Sequence, residues 1–308
     1  MITGEVRGYT MKKIPALFLA IILMLSAAAA LADEFRPLPI DLTGGAPYPK
    51  DYQSLAKKFE YEDPTIKVER FYDKNPKTGI FYYGAKITIK DGSQLRTACA
   101  DDKSFVSTTK VPAKTMAKRK NAILAINGDY CANFGEHMKE TYILRQGTVY
   151  KDKVNPDLDV LLVDEDGDFH VLPCETDLES ADLTTIDGKK VYNAFQFGPA
   201  LVIDGQPVND EKLLDRKHSP ALSEPDYNNR RTCICQLGPR EYMVLITNHI
   251  NLPNFRDLVM SIADCQTVYE LDGGNSASLI FLGRRIDTEN KERSLPDIIY
   301  FASAWFED

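Results

Sequence analysis

Residues 122–126 form an apolar run that stops abruptly at Asn127-Gly128-Asp129. A run this short, closed by turn residues, suits a strand buried on both faces and is too brief for an ordinary helix. The same pattern recurs along the chain. Residues 158–163 and 169–172 flank the acidic turn Asp164-Glu165-Asp166-Gly167-Asp168, and residues 194–197 precede 200–203, which end at Asp204-Gly205. Residues 232–236 answer 242–247, while 267–271 run into Asp272-Gly273-Gly274 ahead of another apolar run, 277–282. From Ile66 onward the pattern is already strand-like, with 80–83 and 85–89 as further candidates. One helix stands out: Phe255, Leu258, Val259, Ile262 and Ala263 repeat at helical spacing behind Pro253 and Asn254. Strands outnumber helices and hairpins are frequent. The expected fold is therefore α+β, with a mixed, mostly antiparallel twisted sheet and flanking helices in a single domain of catalytic size, and not a doubly wound nucleotide fold.

The first residues stand apart from this body. Lys12 and Lys13 precede an apolar stretch, 14–25, and Ala30-Leu31-Ala32 supplies the small residues a signal peptidase reads. The expected organisation is a signal peptide over 1–32, an N-terminal arm over 33–79 that is rich in proline and turn residues, and a catalytic domain over 80–308. The protein is then secreted or extracytoplasmic, with no membrane span after cleavage, and cell-surface attachment follows if the leader is retained. The net charge of −8 and pI near 5.2 provide no basic field, which argues against a nucleic-acid partner. The basic stretch 110–120 reads as a solvated helix face.

An even set of cysteines, Cys99, Cys131, Cys174, Cys233, Cys235 and Cys265, favours disulfides in an exported chain or, failing that, buried thiols. Cys233 and Cys235 would share one strand face, roughly 7 Å apart at Cα, too far for easy bridging. No Cys-x-x-Cys pair exists and the histidines are scattered, so no metal or other cofactor is expected. The turn 164–168 lacks the spacing of a calcium loop and reads as a hairpin.

The sequence contains no dinucleotide fingerprint, P-loop, zinc-protease helix or nucleophile elbow. What remains is polar residues placed where buried strands end, a position that holds side chains rigidly toward a cleft. Asn127, Gly128 and Asp129 follow one such strand. Asp272, Gly273, Gly274, Asn275 and Ser276 follow another, and Arg230, Arg231 and Thr232 open a third. Taken alone, Asp-Gly-Gly and Asn-Gly are ordinary turns.

Four segments in order, AILAINGDYC (122–131), FGPALVIDG (197–205), RRTCICQLG (230–238) and YELDGGNSASLIFLG (269–283), resemble the phosphodiester glycosidase family. The resemblance spans about residues 80–302 and implies a hydrolase of sugar-1-phosphate diesters, acting on exported or cell-surface polysaccharide. It departs from the family pattern at Asn275, where a third glycine is usual, and at Asp129-Tyr130-Cys131.

Expulsion of a phosphate monoester needs little general-acid help, but it does need a cation for the phosphate and a carboxylate facing the anomeric carbon. Arg231 fits the first role, with Arg230 as fallback. Asp272 fits the second, with Asp129 as rival or partner. Asn127, Ser276, Thr232, Asn275 and the backbone of Gly128, Gly273 and Gly274 are the expected substrate contacts. Two other readings follow from the same residues: a non-catalytic module binding carbohydrate or phosphoglycan, and a divalent metal held by Asp129 and Asp272. The sequence leaves the oligomeric state open.

Overall fold

The computed structural model describes residue 1 and residues 35–75, 77–129, 141–214, 228–287 and 291–306. The leader and Cys131 lie outside the described residues. Residues 122–126 become the strand Ala122–Asn127, buried along its whole length. It occupies the middle of a five-stranded sheet ordered Arg284–Arg285, Leu279–Phe281, Ala122–Asn127, Asp297–Ala302 and Leu95–Cys99. One face of this sheet meets the main core through Ile123, Ile126 and Phe301. The other takes the helix Ala113–Arg119, whose Ala113, Met116 and Ala117 lie against Ala98, Ala122, Ala125 and Ala302. Small residues on both partners let helix and sheet approach closely.

An eight-stranded sheet packs on the far side of that core. Its order is Glu60–Asp63, Ile66–Lys74, Phe81–Ile89, Glu241–Ile250, Asn229–Gly238, Thr267–Leu271, Ala200–Ile203 and Gln206–Pro207. Its outer face is covered by the helix Leu252–Ile262, which buries Phe255 and Val259 against Cys233, Cys235, Met243 and Val268. The Asn251 side chain caps that helix by accepting from the Asn254 N–H. A third sheet pairs Phe169–Leu172, Val160–Asp164, Lys189–Phe195, Ile143–Arg145 and Thr148–Lys151. Every strand pair among the described residues is antiparallel. The α+β, mostly antiparallel expectation holds, with the strands divided over three large sheets and a two-stranded one, Val111–Pro112 with Ser294–Leu295.

Residues 80–83 and 85–89 form one continuous strand, Phe81–Ile89. Residues 277–282 yield only Leu279–Phe281, because the Ser278 N–H is taken by the Asn127 Oδ1 at 3.1 Å. Within 33–79, the strands Glu60–Asp63 and Ile66–Lys74 belong to the large sheet. The stretch before them is fastened to the five-stranded sheet: buried Arg96 donates to the Asp41 and Thr43 carbonyls, and the Leu38 N–H to the Ser93 Oγ.

The acidic turn is a hairpin whose Asp164, Asp166 and Asp168 surround Lys189 at 3.3, 2.9 and 3.4 Å. The basic helix face is neutralised locally, with Arg119 and Lys120 each 2.9 Å from Asp102 and Lys114 2.7 Å from Glu292. The disulfide expectation needs correction for the buried cysteines. Cys99, Cys233, Cys235 and Cys265 are free thiols, buried as small core residues. Cys233 and Cys235 do share one face, with sulfurs 3.7 Å apart. No helix among the described residues is long and apolar enough to cross a membrane.

Candidate active site

Two strand ends from different sheets are sutured by one amide. Asn127, the last residue of its strand, donates from Nδ2 to the Asp272 carbonyl at 2.6 Å and to the Gly128 carbonyl at 3.0 Å, while its Oδ1 accepts the Ser278 N–H. A buried amide with its donors and acceptor engaged fixes both loops. Asn127 thus positions the loops that carry the acidic residues.

Asp129 follows directly. It is buried, with Oδ1 2.5 Å from Arg145 Nη2 and Oδ2 accepting the Gln196 N–H at 2.9 Å. Arg145 ends the strand Ile143–Arg145 and is completely buried. It also donates to the Ala194 carbonyl, lies over the Phe195 ring at 4.3 Å, and sits 3.8 Å from Asp297 Oδ2. Asp297 begins the strand next to Ala122–Asn127, so an antiparallel neighbour delivers it to the same sheet end. Gly128 lies against it: a Cβ at this position would overlap the Asp297 carboxyl group. Gly128→Ala is therefore expected to destabilise the protein by about 1–3 kcal/mol, the usual cost of overpacking, read as a lower denaturant midpoint.

Asp272 completes the acidic group. Burial raises its pKa to about 7; Glu270 and Asp129 add to the rise, and the Ser276 hydroxyl and Arg293 oppose it. Burial likewise pushes Asp297 well above the usual carboxylate range, with Asp129 and Asp272 adding to the effect and Arg145 opposing it. One oxygen each of Asp272 and Asp297 is buried without a hydrogen-bond partner. Asp129, Asp272, Asp297 and Arg145 therefore act on one another electrostatically in one low-dielectric place.

The predicted cations sit differently. Arg231 is buried, 2.9 Å from Glu270 and donating to the Ile250 carbonyl. Arg230 is 2.7 Å from fully buried Asp287, which Arg285 shares at 2.9 Å. Both arginines are thus held in buried ion pairs beside the site. Gly273 lets its loop pass close over the Arg230 carbonyl, and Gly274 adopts a positive φ of 55°. Thr232 is buried in the large sheet, Ser276 is buried under the loop, and Asn275 is exposed. Arg293, half-buried, donates to the Ser276 Oγ at 3.1 Å.

Arg145, Arg293 and Asp297 were not singled out from sequence. Asp297 stands immediately before the apolar run 298–302, and Arg145 closes the run 142–144 ahead of Gln146-Gly147. The strand-end criterion that selected Asp129 and Asp272 reaches both, once strand beginnings are counted with strand ends.

This acidic constellation falls inside a matched family region: residues 120–302 fit the family model described as phosphodiester glycosidase. The chain belongs to the phosphodiester glycosidase family. Among solved structures, the catalytic domain of zebrafish N-acetylglucosamine-1-phosphodiester alpha-N-acetylglucosaminidase, auto-inhibited by its pro-peptide, matches with a TM-score of 0.61. That match has 13% identity and covers 88% of this chain and 99% of the zebrafish one. A hypothetical protein from Synechocystis aligns at a TM-score of 0.48 with 13% identity, over 77% of this chain and 62% of its own. No curated protein matches the sequence. At 13% identity the zebrafish structure establishes the shared fold. Membership of the phosphodiester glycosidase family suggests a hydrolase of phosphodiester glycosidic linkages.

Proposed function

We propose that the protein hydrolyses sugar-1-phosphate diesters in an exported or cell-surface polysaccharide, with Asp272 as the carboxylate that addresses the anomeric carbon. The observation that carries this reading is the convergence of Asp272 from one sheet with Asp129 and Asp297 from another, with the Asp272 pKa at about 7. An acid that titrates near neutral pH is matched to proton transfer. In the reaction, water adds its oxygen to the anomeric carbon and its proton passes to Asp272. The bond between the anomeric carbon and the bridging oxygen breaks, and the phosphate monoester departs with that oxygen and its electron pair. If Asp272 attacks first and water follows, the ionised form is still the active one.

Asp129 and Arg145 hold the floor of the site, and Arg293 is the cation assigned to the phosphate. Its half-buried position, its bond to Ser276 and its influence on Asp272 support that assignment. Arg230 and Arg231 are assigned to positioning, since each is engaged by a buried carboxylate. Arg293→Ala is expected to lower kcat/KM for a glycosyl phosphodiester about 10²-fold, the scale of losing one charge-stabilising donor. Arg231→Met is expected to lower the unfolding midpoint first. Steady-state kinetics with urea unfolding on both variants separates the two roles, and equal kinetics for Arg293→Ala and wild type would remove the phosphate assignment.

The donor set does not favour a divalent cation between Asp129 and Asp272. Each oxygen of Asp129 already faces a donor, and Arg145 contributes the positive charge that a metal would.

A further inference from the structure

The end of the large sheet from which Asp272 emerges carries a second feature. Across the strands, Tyr72 pairs with Tyr83, Tyr83 with Ile246, Ile246 with Thr232, and Thr232 with Leu271. Directly opposed residues share a face, so these side chains form one row over five adjacent strands. Ile246 and Leu271 belong to the core. Toward Tyr72 the row leaves the core: Tyr83 is half-buried and Tyr72 is 48% exposed. Their ring centroids are 4.8 Å apart, and Phe81, on the same face two residues before Tyr83, meets that ring edge-on at 6.1 Å. With strands about 4.8 Å apart, four steps place Tyr72 roughly 19 Å from Leu271, the residue before Asp272.

We propose that Tyr72, Phe81 and Tyr83 form a binding rail for successive sugar rings of a polysaccharide whose phosphodiester lies at Asp272. The inference rests on the glycosidase reading and adds that the substrate is a polymer engaged well beyond the bond that is cut. A single exposed aromatic needs no explanation, but three adjoining, partly exposed ones at the same end of the sheet as the candidate active site do. The C–H faces of a pyranose pack on the electron-rich face of an aromatic ring, and a tyrosine hydroxyl remains at its rim to meet the sugar hydroxyls. The tilted and edge-on arrangement of these rings, 40° and 81°, makes a ridged track and not a flat apolar patch of the kind a protein partner covers.

The test uses the full-length protein and two probes: a linear polymer of hexose-1-phosphate repeats and the corresponding single glycosyl phosphodiester. Polymer affinity is measured by calorimetry in an Asp272→Asn background, so that nothing is consumed. Tyr72→Ala and Phe81→Ala are each expected to weaken polymer binding about tenfold. In the otherwise wild-type protein, they are expected to leave kcat and KM for the small diester unchanged. Val106→Ala, at an exposed site off the row, serves as control, and urea midpoints show that each variant is folded.

Polymer binding insensitive to both rail variants, or equal losses on polymer and small diester, overturns the rail. Absence of polymer binding by the Asp272→Asn protein, with the small diester still cleaved by wild type, also overturns the rail and leaves the glycosidase reading intact. Rail-dependent polymer binding with neither probe cleaved by wild type supports the rail and sinks the catalytic reading instead.

Discussion

Asp272→Asn is expected to reduce turnover of a glycosyl phosphodiester by about 10²–10⁴-fold, the usual contribution of a positioned acid–base group, while leaving the protein folded. The wild-type rate is expected to rise with pH and level off above about pH 7, where Asp272 is ionised. The same substitution has an opposite signature in stability. Between pH about 4 and about 7 the folded state keeps a proton on Asp272 that the unfolded chain has already released. Wild-type stability therefore falls across that window as pH rises, and the penalty is complete above pH 7. Asparagine cannot ionise and escapes the penalty. The variant is expected to be more stable than wild type at pH 8, by an amount on the order of 4 kcal/mol, and to converge with it near pH 4. Urea unfolding at the two pH values, with kinetics on the same samples, checks both halves. A variant that keeps wild-type turnover would end the assignment of Asp272.

Arg145→Met should have the largest effect on folding. It removes a fully buried guanidinium from Asp129 at 2.5 Å and from Asp297 at 3.8 Å, and breaking such a pair costs about 3–5 kcal/mol. Asp297, already raised by burial, loses the guanidinium that favours its charged form and is better tolerated protonated, so the deficit relative to wild type is expected to shrink from pH 8 to pH 5. Denaturation at the two pH values measures it. A deficit independent of pH would assign the loss to packing against Phe195.

Much of the architecture was legible because period-two and short apolar runs are local signals. Ala200–Ile203 and Thr267–Leu271 have the boundaries the sequence implies, and the helix capped at Asn251 buries the face that its spacing assigns. The division into three sheets was not legible, since which strands become neighbours is decided by packing between distant segments. At the site, the strand-end criterion finds Asp129 and Asp272, and the structure brings these two within electrostatic reach of each other. It is silent on pairing. Nothing local tells that Arg231 faces Glu270, 39 residues away, or that Arg145 faces Asp129, 16 residues away. The cysteines show the same limit: an even count is compatible with bridges, but burial among apolar neighbours leaves Cys233, Cys235 and Cys265 as thiols.

The Asn127 amide has a consequence for how this protein comes together. It joins residues 145 positions apart in the chain and belongs to one sheet while gripping the strand end of another. Neither sheet alone holds Asp129 and Asp272 at their working separation. Strand pairing within each layer can therefore be complete before Asp129 and Asp272 meet, and the candidate site exists only once the two layers close over their shared core.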